Sequence, residues 1–194
     1  MKERRILFMH KPVLYIAIGL PASGKSTYFS RIKTFPIVSS DRIRAELFGN
    51  EDMQYSDNYL SSHGLPAHLM SLKEKIDHSN RVIHSEMLER ALKYLKEGMD
   101  TVYDGTNLMK KNRARLIRIF SPLCFIHGIY FRTSIEVCIQ RDRERTSHTV
   151  GESGIRRMAA EFDLPEISEG FDVLETLDEN GIRLSVQYRN SPSQ

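Results

Sequence analysis

The chain reads as an α/β protein: a parallel sheet with helices on both faces. Three observations predict it. A continuous apolar run, Val13 to Ile18, stops at Gly19, as a central strand buried on both faces would. Further short apolar runs alternate with stretches of helical period, the order that produces right-handed crossovers between parallel strands. Finally, 194 residues with 40% hydrophobic content suit one core, so a single domain over 1–194 is expected.

The elements follow in order. After the strand Val13 to Ile18, a helix is expected beyond Lys25, with Phe29 and Ile32 on one buried face, until Pro36 breaks it. Ile37 to Ser39 form a short second strand, and Asp41 to Phe48 a helix stopped by Gly49. Asn58 to Gly98 looks helical throughout, most clearly from Asn80 to Glu97, where Ile83, Met87, Ala91 and Leu95 recur four apart and Gly98 supplies the stop. Thr101 to Tyr103 is a strand running into Asp104, Arg113 to Phe120 a basic amphipathic helix, and Phe125 to Phe131 a further strand. Thr133 and Glu136 predict a capping box for a helix continuing through Arg145. Ile155 to Phe162 is a short helix, and Val173 to Leu177 with Ile182 to Val186 form two last strands around Asn180 and Gly181. Asn190 to Gln194 has the composition of a disordered tail.

Composition excludes several classes. Lys and Arg total 28 against 25 Asp and Glu, a formal charge of +3 that is too mild to announce a nucleic-acid partner, so local placement must carry that argument. Cys124 and Cys138 lack metal-ligand spacing and sit in apolar stretches, which predicts free buried thiols. Met1 to His10 is charged before it is apolar, unlike a signal peptide, and no run approaches the ~20 apolar residues that cross a bilayer. The cytoplasm is the expected location.

Chemistry enters at Gly19, Leu20, Pro21, Ala22, Ser23, Gly24, Lys25 and Ser26, two glycines five positions apart followed by Lys and Ser. This is the P-loop pattern, placed after a strand and before a helix as the motif requires. Glycine lets successive N–H groups turn onto phosphate oxygens, Lys25 neutralises the β and γ phosphates, and Ser26 offers its hydroxyl to Mg²⁺ with Thr27 behind it. ATP and Mg²⁺ are the ligands expected.

A helix of about eight residues carries the chain ~12 Å from this loop, and a strand returns it. Asp41 therefore arrives at the carboxyl edge of the sheet, where such folds bind ligands, and can take the proton of an attacking hydroxyl. Capping the helix that follows is its competing role, one that Ser39 or Ser40 could fill instead. Arg44 lies a turn later on the same face and either holds a substrate anion or pairs with Asp41. Asp104 ends its strand where P-loop proteins keep a carboxylate for the metal or its waters, with Gly105, Thr106 and the candidate substrate contact Asn107 as a polar turn. Arg141 and Arg145 project together from their helix, either as a cationic edge for the transferring phosphate or as part of a solvated face. The first reading makes 141–160 a lid, with Thr146 to Ser153 as its flexible tip.

Together the P-loop with Pro21 and Ser23, Asp41 with Arg44, Asp104-Gly105-Thr106-Asn107, and Arg141 with Arg145 resemble the kinase domain of bacteriophage-type 5′-hydroxyl polynucleotide kinases and related small P-loop kinases. The resemblance runs from Val13 to Asp172. It implies a P-loop NTPase-type sheet with a helical lid, Lys25 as catalytic, and Asp41 as general base on a nucleic acid 5′-hydroxyl. It further implies Arg44 on the adjacent phosphate and Arg141 and Arg145 on ATP. The wider family also phosphorylates small metabolites, toxins and aminoacyl-tRNA, so the acceptor end is the less specific one. A nucleotide-dependent binding protein without transfer is the reading from a different class. The stretch 53–80 is longer than a compact member needs and holds Tyr55, Tyr59, His63, His68 and His78. It reads either as a substrate cap with stacking tyrosines or as a helix packing Leu65, Leu69, Leu72 and Ile76; no metal is assigned to its histidines.

Overall fold

The structure, a computed structural model, describes residues 11–50, 52–146 and 149–189. The readings made for Met1 to His10, for the Asn190 to Gln194 tail and for part of the 146–153 tip lie outside them.

Strand β1 (Val13–Ile18) sits at the centre of a six-stranded sheet with β2 (Ile37–Ser39), β3 (Thr101–Asp104), β4 (Phe125–Phe131), β5 (Val173–Leu177) and β6 (Arg183–Tyr188). The order is β2-β3-β1-β4-β5-β6, parallel except for β6, which pairs antiparallel with β5. Both faces are covered, the predicted architecture. Alternation along β1 divides the core: Leu14, Ile16 and Ile18 face α2 (Ser40–Phe48), α4 (Leu72–Lys96) and α5 (Lys110–Phe120). Ala17 faces α1 (Lys25–Phe29) on the other side, with Phe29, Val102, Ile129 and Phe131.

Several predicted elements are redrawn. Helix α1 spans five residues, and Ile32 lies in the turn beyond it, closed by Ile32 N–H donating to Phe29 O at 2.9 Å. The region expected to be helical from Asn58 resolves into α3 (Asp57–Ser62), a 3₁₀ turn (Ala67–Leu69) and α4. Ser71 and Glu74 start α4 with a reciprocal capping box that the periodicity argument did not use. The alternative of one helix packing Leu65, Leu69, Leu72 and Ile76 is corrected: Leu69 is 74% exposed and Leu72 60%, and it is Leu60 that is fully buried.

Helix α6 (Ile135–Arg143) is capped by Ser134, which accepts from Val137 N–H, and not by Thr133. It ends two residues before the predicted Arg145 because the buried Asp142 accepts from Val150 N–H at 3.1 Å and Gly151 N–H at 2.8 Å. Those bonds turn the chain into α7 (Glu152–Ala160), which packs back on α6. Cys124 and Cys138 are free and buried. Among the described residues no helix is long and apolar enough to cross a membrane.

Candidate active site

The loop after β1 takes its shape from backbone constraints. Gly24 has φ +100 and Ala22 φ +59, so neighbouring N–H groups turn to one side. At Gly19 a Cβ would stand 2.8 Å from Ser23 Oγ and 3.1 Å from Phe131 O, which restricts that position to glycine. Ala22, Ser23, Gly24, Lys25, Ser26 and Thr27 line a cavity of ≈ 410 Å³. Gly19 and Pro21, also expected at the nucleotide, are not among the lining residues, and Pro21 has no N–H to offer a phosphate.

Lys25 is buried and folded back on the loop, its Nζ donating to Gly19 O at 2.9 Å, Leu20 O at 2.6 Å and Ser23 Oγ at 3.3 Å. Burial lowers its pKa to about 8, against the opposing pull of Asp104 and Asp41. Ser26 Oγ donates to Asp104 Oδ2 at 3.3 Å. Asp104 is buried, and loss of solvent raises its pKa while Lys25 pulls it back down.

Sheet register brings the second carboxylate to the same edge. Ser39 pairs with Asp104, so Asp41 emerges two residues past β2 beside the end of β3. Its Oδ1 accepts from Arg44 Nη1 at 2.9 Å, which realises the pairing alternative for Arg44. Ser39 occupies the N-cap of α2 without a side-chain cap bond. Arg44 Nε is buried with no hydrogen-bond partner. Two residues near Arg44 were not singled out in the sequence: His84 of α4, whose pKa is lowered by desolvation and then by the charges of Arg115 and Arg44, which favours its neutral form, and the exposed Arg115 of α5. Their three helices cover one sheet face, and only the fold assembles them.

Arg141 and Arg145 both line the cavity, as the cationic-edge reading expects, although Arg145 stands beyond the helix end. Arg141 Nη2 donates to Glu179 O at 2.9 Å. Thr133 Oγ1 donates to Ser23 O at 2.9 Å and so ties the root of α6 to the phosphate loop. Asn107, the predicted substrate contact, has a bracing bond: Nδ2 donates to Ala17 O at 2.7 Å. The cavity also takes in Tyr28, Arg31 and the 179–181 turn, which no motif marked. Among the described residues no cluster of three or more His, Cys, Asp or Glu is placed to hold a metal. Ser26 and Asp104 nevertheless offer the two hard oxygens that Mg²⁺ needs when phosphates and water complete its shell.

A parallel sheet with this loop at its centre and a carboxylate edge beside it defines the small P-loop kinases. The chain belongs to the AAA domain family AAA_33, whose model matches residues 14–165. It is similar to "Transcription factor bHLH140" of Arabidopsis thaliana, 23% identical over 83% of this chain and 15% of that protein. It is also similar to the "Putative bifunctional polynucleotide kinase/RNA ligase" of Autographa californica nuclear polyhedrosis virus, 25% identical over 69% of this chain and 18% of that protein. The chain thus spans less than a fifth of these curated relatives. Among solved structures, a chain of the Pnkp1/Rnl/Hen1 RNA repair complex superposes with a TM-score of 0.60 at 21% identity, over 78% of this chain and 44% of that one. A gluconokinase from Sinorhizobium meliloti 1021 gives 0.50 at 17% identity, over 87% and 83%. At such identities the superpositions speak for the fold.

Proposed function

We propose that this chain transfers the γ-phosphate of ATP to the 5′-hydroxyl of RNA or DNA. The observation that carries the reading is the register pairing of Ser39 with Asp104, which brings Asp41 to the sheet edge that also carries the phosphate loop. A second is the pair of guanidinium groups, Arg44 and Arg115, whose charges meet at His84 on the acceptor side, a cationic environment suited to a phosphodiester. The viral relative is named for a polynucleotide kinase, which agrees with this acceptor.

In this reading the triphosphate lies along Ala22 to Thr27, and the nucleoside end extends toward Tyr28, Arg31 and the 179–181 turn. Ser26 and Asp104 would hold Mg²⁺, which would supply charge neutralisation at the triphosphate. Lys25 leaves its carbonyl acceptors for phosphate oxygens, an exchange that favours its charged form. Asp41, oriented by Arg44, accepts the proton of the attacking hydroxyl as the new O–P bond forms and the bond to the β-phosphate oxygen breaks. Arg141 and Arg145 balance charge on the leaving phosphates. The stretch 53–80 then serves as a cap over the acceptor and 141–160 as the lid over ATP.

Incubation with γ-labelled ATP and a 5′-hydroxyl oligonucleotide, beside a panel of small alcohols such as gluconate and nucleosides, tests the proposal. Label at the oligonucleotide 5′ end is expected. Label confined to a small alcohol, or none despite ATP binding, rejects the acceptor.

A further inference from the structure

Arg113 of α5 is 0% exposed, and so is the side chain of Glu169, which meets it from the 3₁₀ turn Ile167–Glu169 before β5. The two form a fork: Nε donates to Oε2 at 2.8 Å and Nη2 to Oε1 at 2.7 Å. The remaining nitrogen, Nη1, donates in the other direction, to Leu108 O at 2.5 Å and Asn107 O at 3.1 Å.

Those carbonyls belong to the turn that follows Asp104, and the turn is itself bonded to the phosphate loop. Thr106 O accepts from Gly19 N–H at 3.0 Å, and Asn107 Nδ2 donates to Ala17 O. Asn107 holds φ +47, a left-handed conformation that its bonded neighbours keep in place. The segment following α7 grips the same turn again, with Asp163 N–H donating to Leu108 O at 3.2 Å and Asp163 Oδ2 accepting from Lys110 N–H at 2.8 Å.

A buried ion pair is a poor device for stability, because apolar side chains of similar size often do as well without losing solvation. What an apolar pair lacks is direction. With Glu169 fixing the plane of the guanidinium, the third nitrogen can address two carbonyls at set positions.

We propose that Arg113, oriented by Glu169, is a positioning residue for phosphotransfer. It fixes the 105–108 turn, and the turn in turn sets the entry of the phosphate loop at Gly19 and the station of Asp104 opposite Ser26. The inference rests on reading this site as a phosphotransfer site, but the link from Arg113 to Gly19 can be measured without an acceptor. Because Glu169 lies on the chain returning from α7, the lid side of the molecule is anchored to the same turn.

The test uses the full chain with Arg113→Lys, which keeps a charge but cannot fork, and the pair Arg113→Met with Glu169→Leu, which removes both charges and keeps an apolar fill. Three quantities are read: hydrogen exchange at the Gly19 amide, ATP affinity with and without Mg²⁺, and kcat on whichever acceptor the wild type uses. In both variants the Gly19 amide should exchange faster. The gain in ATP affinity on adding Mg²⁺ should shrink about tenfold and kcat fall by about 10–100-fold.

A merely structural Arg113 predicts a lower Tm with all three quantities unchanged below the melting transition, and that result overturns the proposal. If the pair variant does not fold, Arg113→Lys decides by the same readings. If the wild type phosphorylates no acceptor, the proposed activity fails, while exchange and Mg²⁺-linked binding still judge Arg113.

Discussion

At Lys25 the ammonium is held by the loop's own oxygens while burial lowers its pKa to about 8. Phosphate oxygens favour the charged form, so ATP binding should take up a proton once the pH exceeds about 8, and affinity should decline by up to about tenfold per pH unit above it. Isotherms in buffers of different ionisation heat measure this, and affinity that stays flat to pH ~9.5 refutes it. Asp41→Asn should lower kcat by about 10²–10⁴-fold with ATP affinity kept, since the carboxylate is assigned to the acceptor proton and not to the nucleotide. Near-normal turnover in that variant would remove Asp41 as the base. The phosphate loop was legible in the sequence because each of its constraints is local: a backbone conformation only glycine adopts easily, and a lysine beside it. Arg113 was invisible among the basic residues of its helix, because nothing in spacing distinguishes an arginine that meets Glu169 inside the protein from one that meets water.

Among the elements, the α6–α7 turn depends on one carboxylate. Asp142→Ala leaves the N–H groups of Val150 and Gly151 without their acceptor, and unsatisfied groups of this kind cost about 1–3 kcal/mol. A lower urea midpoint and a raised KM for ATP are expected together, because Arg145 lies at the same turn and lines the cavity. A changed midpoint with an unchanged KM would separate the turn from nucleotide binding. On the opposite side, Arg115→Ala should raise KM for an oligonucleotide while sparing a nucleoside 3′-monophosphate, which presents no second phosphate to α5. Equal effects on both acceptors would place Arg115 elsewhere. Helix periods were readable in α2, α4 and α5, but the end of α6 was not: i+4 spacing suggested Arg141 and Arg145 on one helix, and the tertiary capture of Val150 by Asp142 overrode it. The exposed Leu69 and Leu72 show the same limit, since a run of leucines states apolarity and not which neighbour arrives to cover it.

For the whole molecule, the depressed Lys25 pKa has a thermodynamic consequence of fixed sign. Between about pH 8 and its unfolded value of 10.5 the unfolded chain binds more protons at this group, so its contribution to stability rises with pH across that window. Comparing urea unfolding of the wild type with Lys25→Met isolates that contribution from the titrating tyrosines and cysteines. The stability gap should be constant below about pH 8 and move in favour of the wild type up to 10.5; a constant gap throughout would mean that Lys25 is not depressed. The sheet was readable in advance because β1 is a continuous apolar run with no exposed residue, and β2 and β4 are short and mostly apolar between turn residues. The amino-acid sequence by itself determined the parallel sheet, the phosphate loop and the return of Asp41 to its edge, all consequences of local conformation and chain length. Tertiary structure alone decided that His84 and Arg115 come beside Arg44 from other helices, and that Arg113 braces the loop through Glu169. Those relations join residues from separate helices and turns, and contacts of that kind exist only once a packed core has fixed the distances.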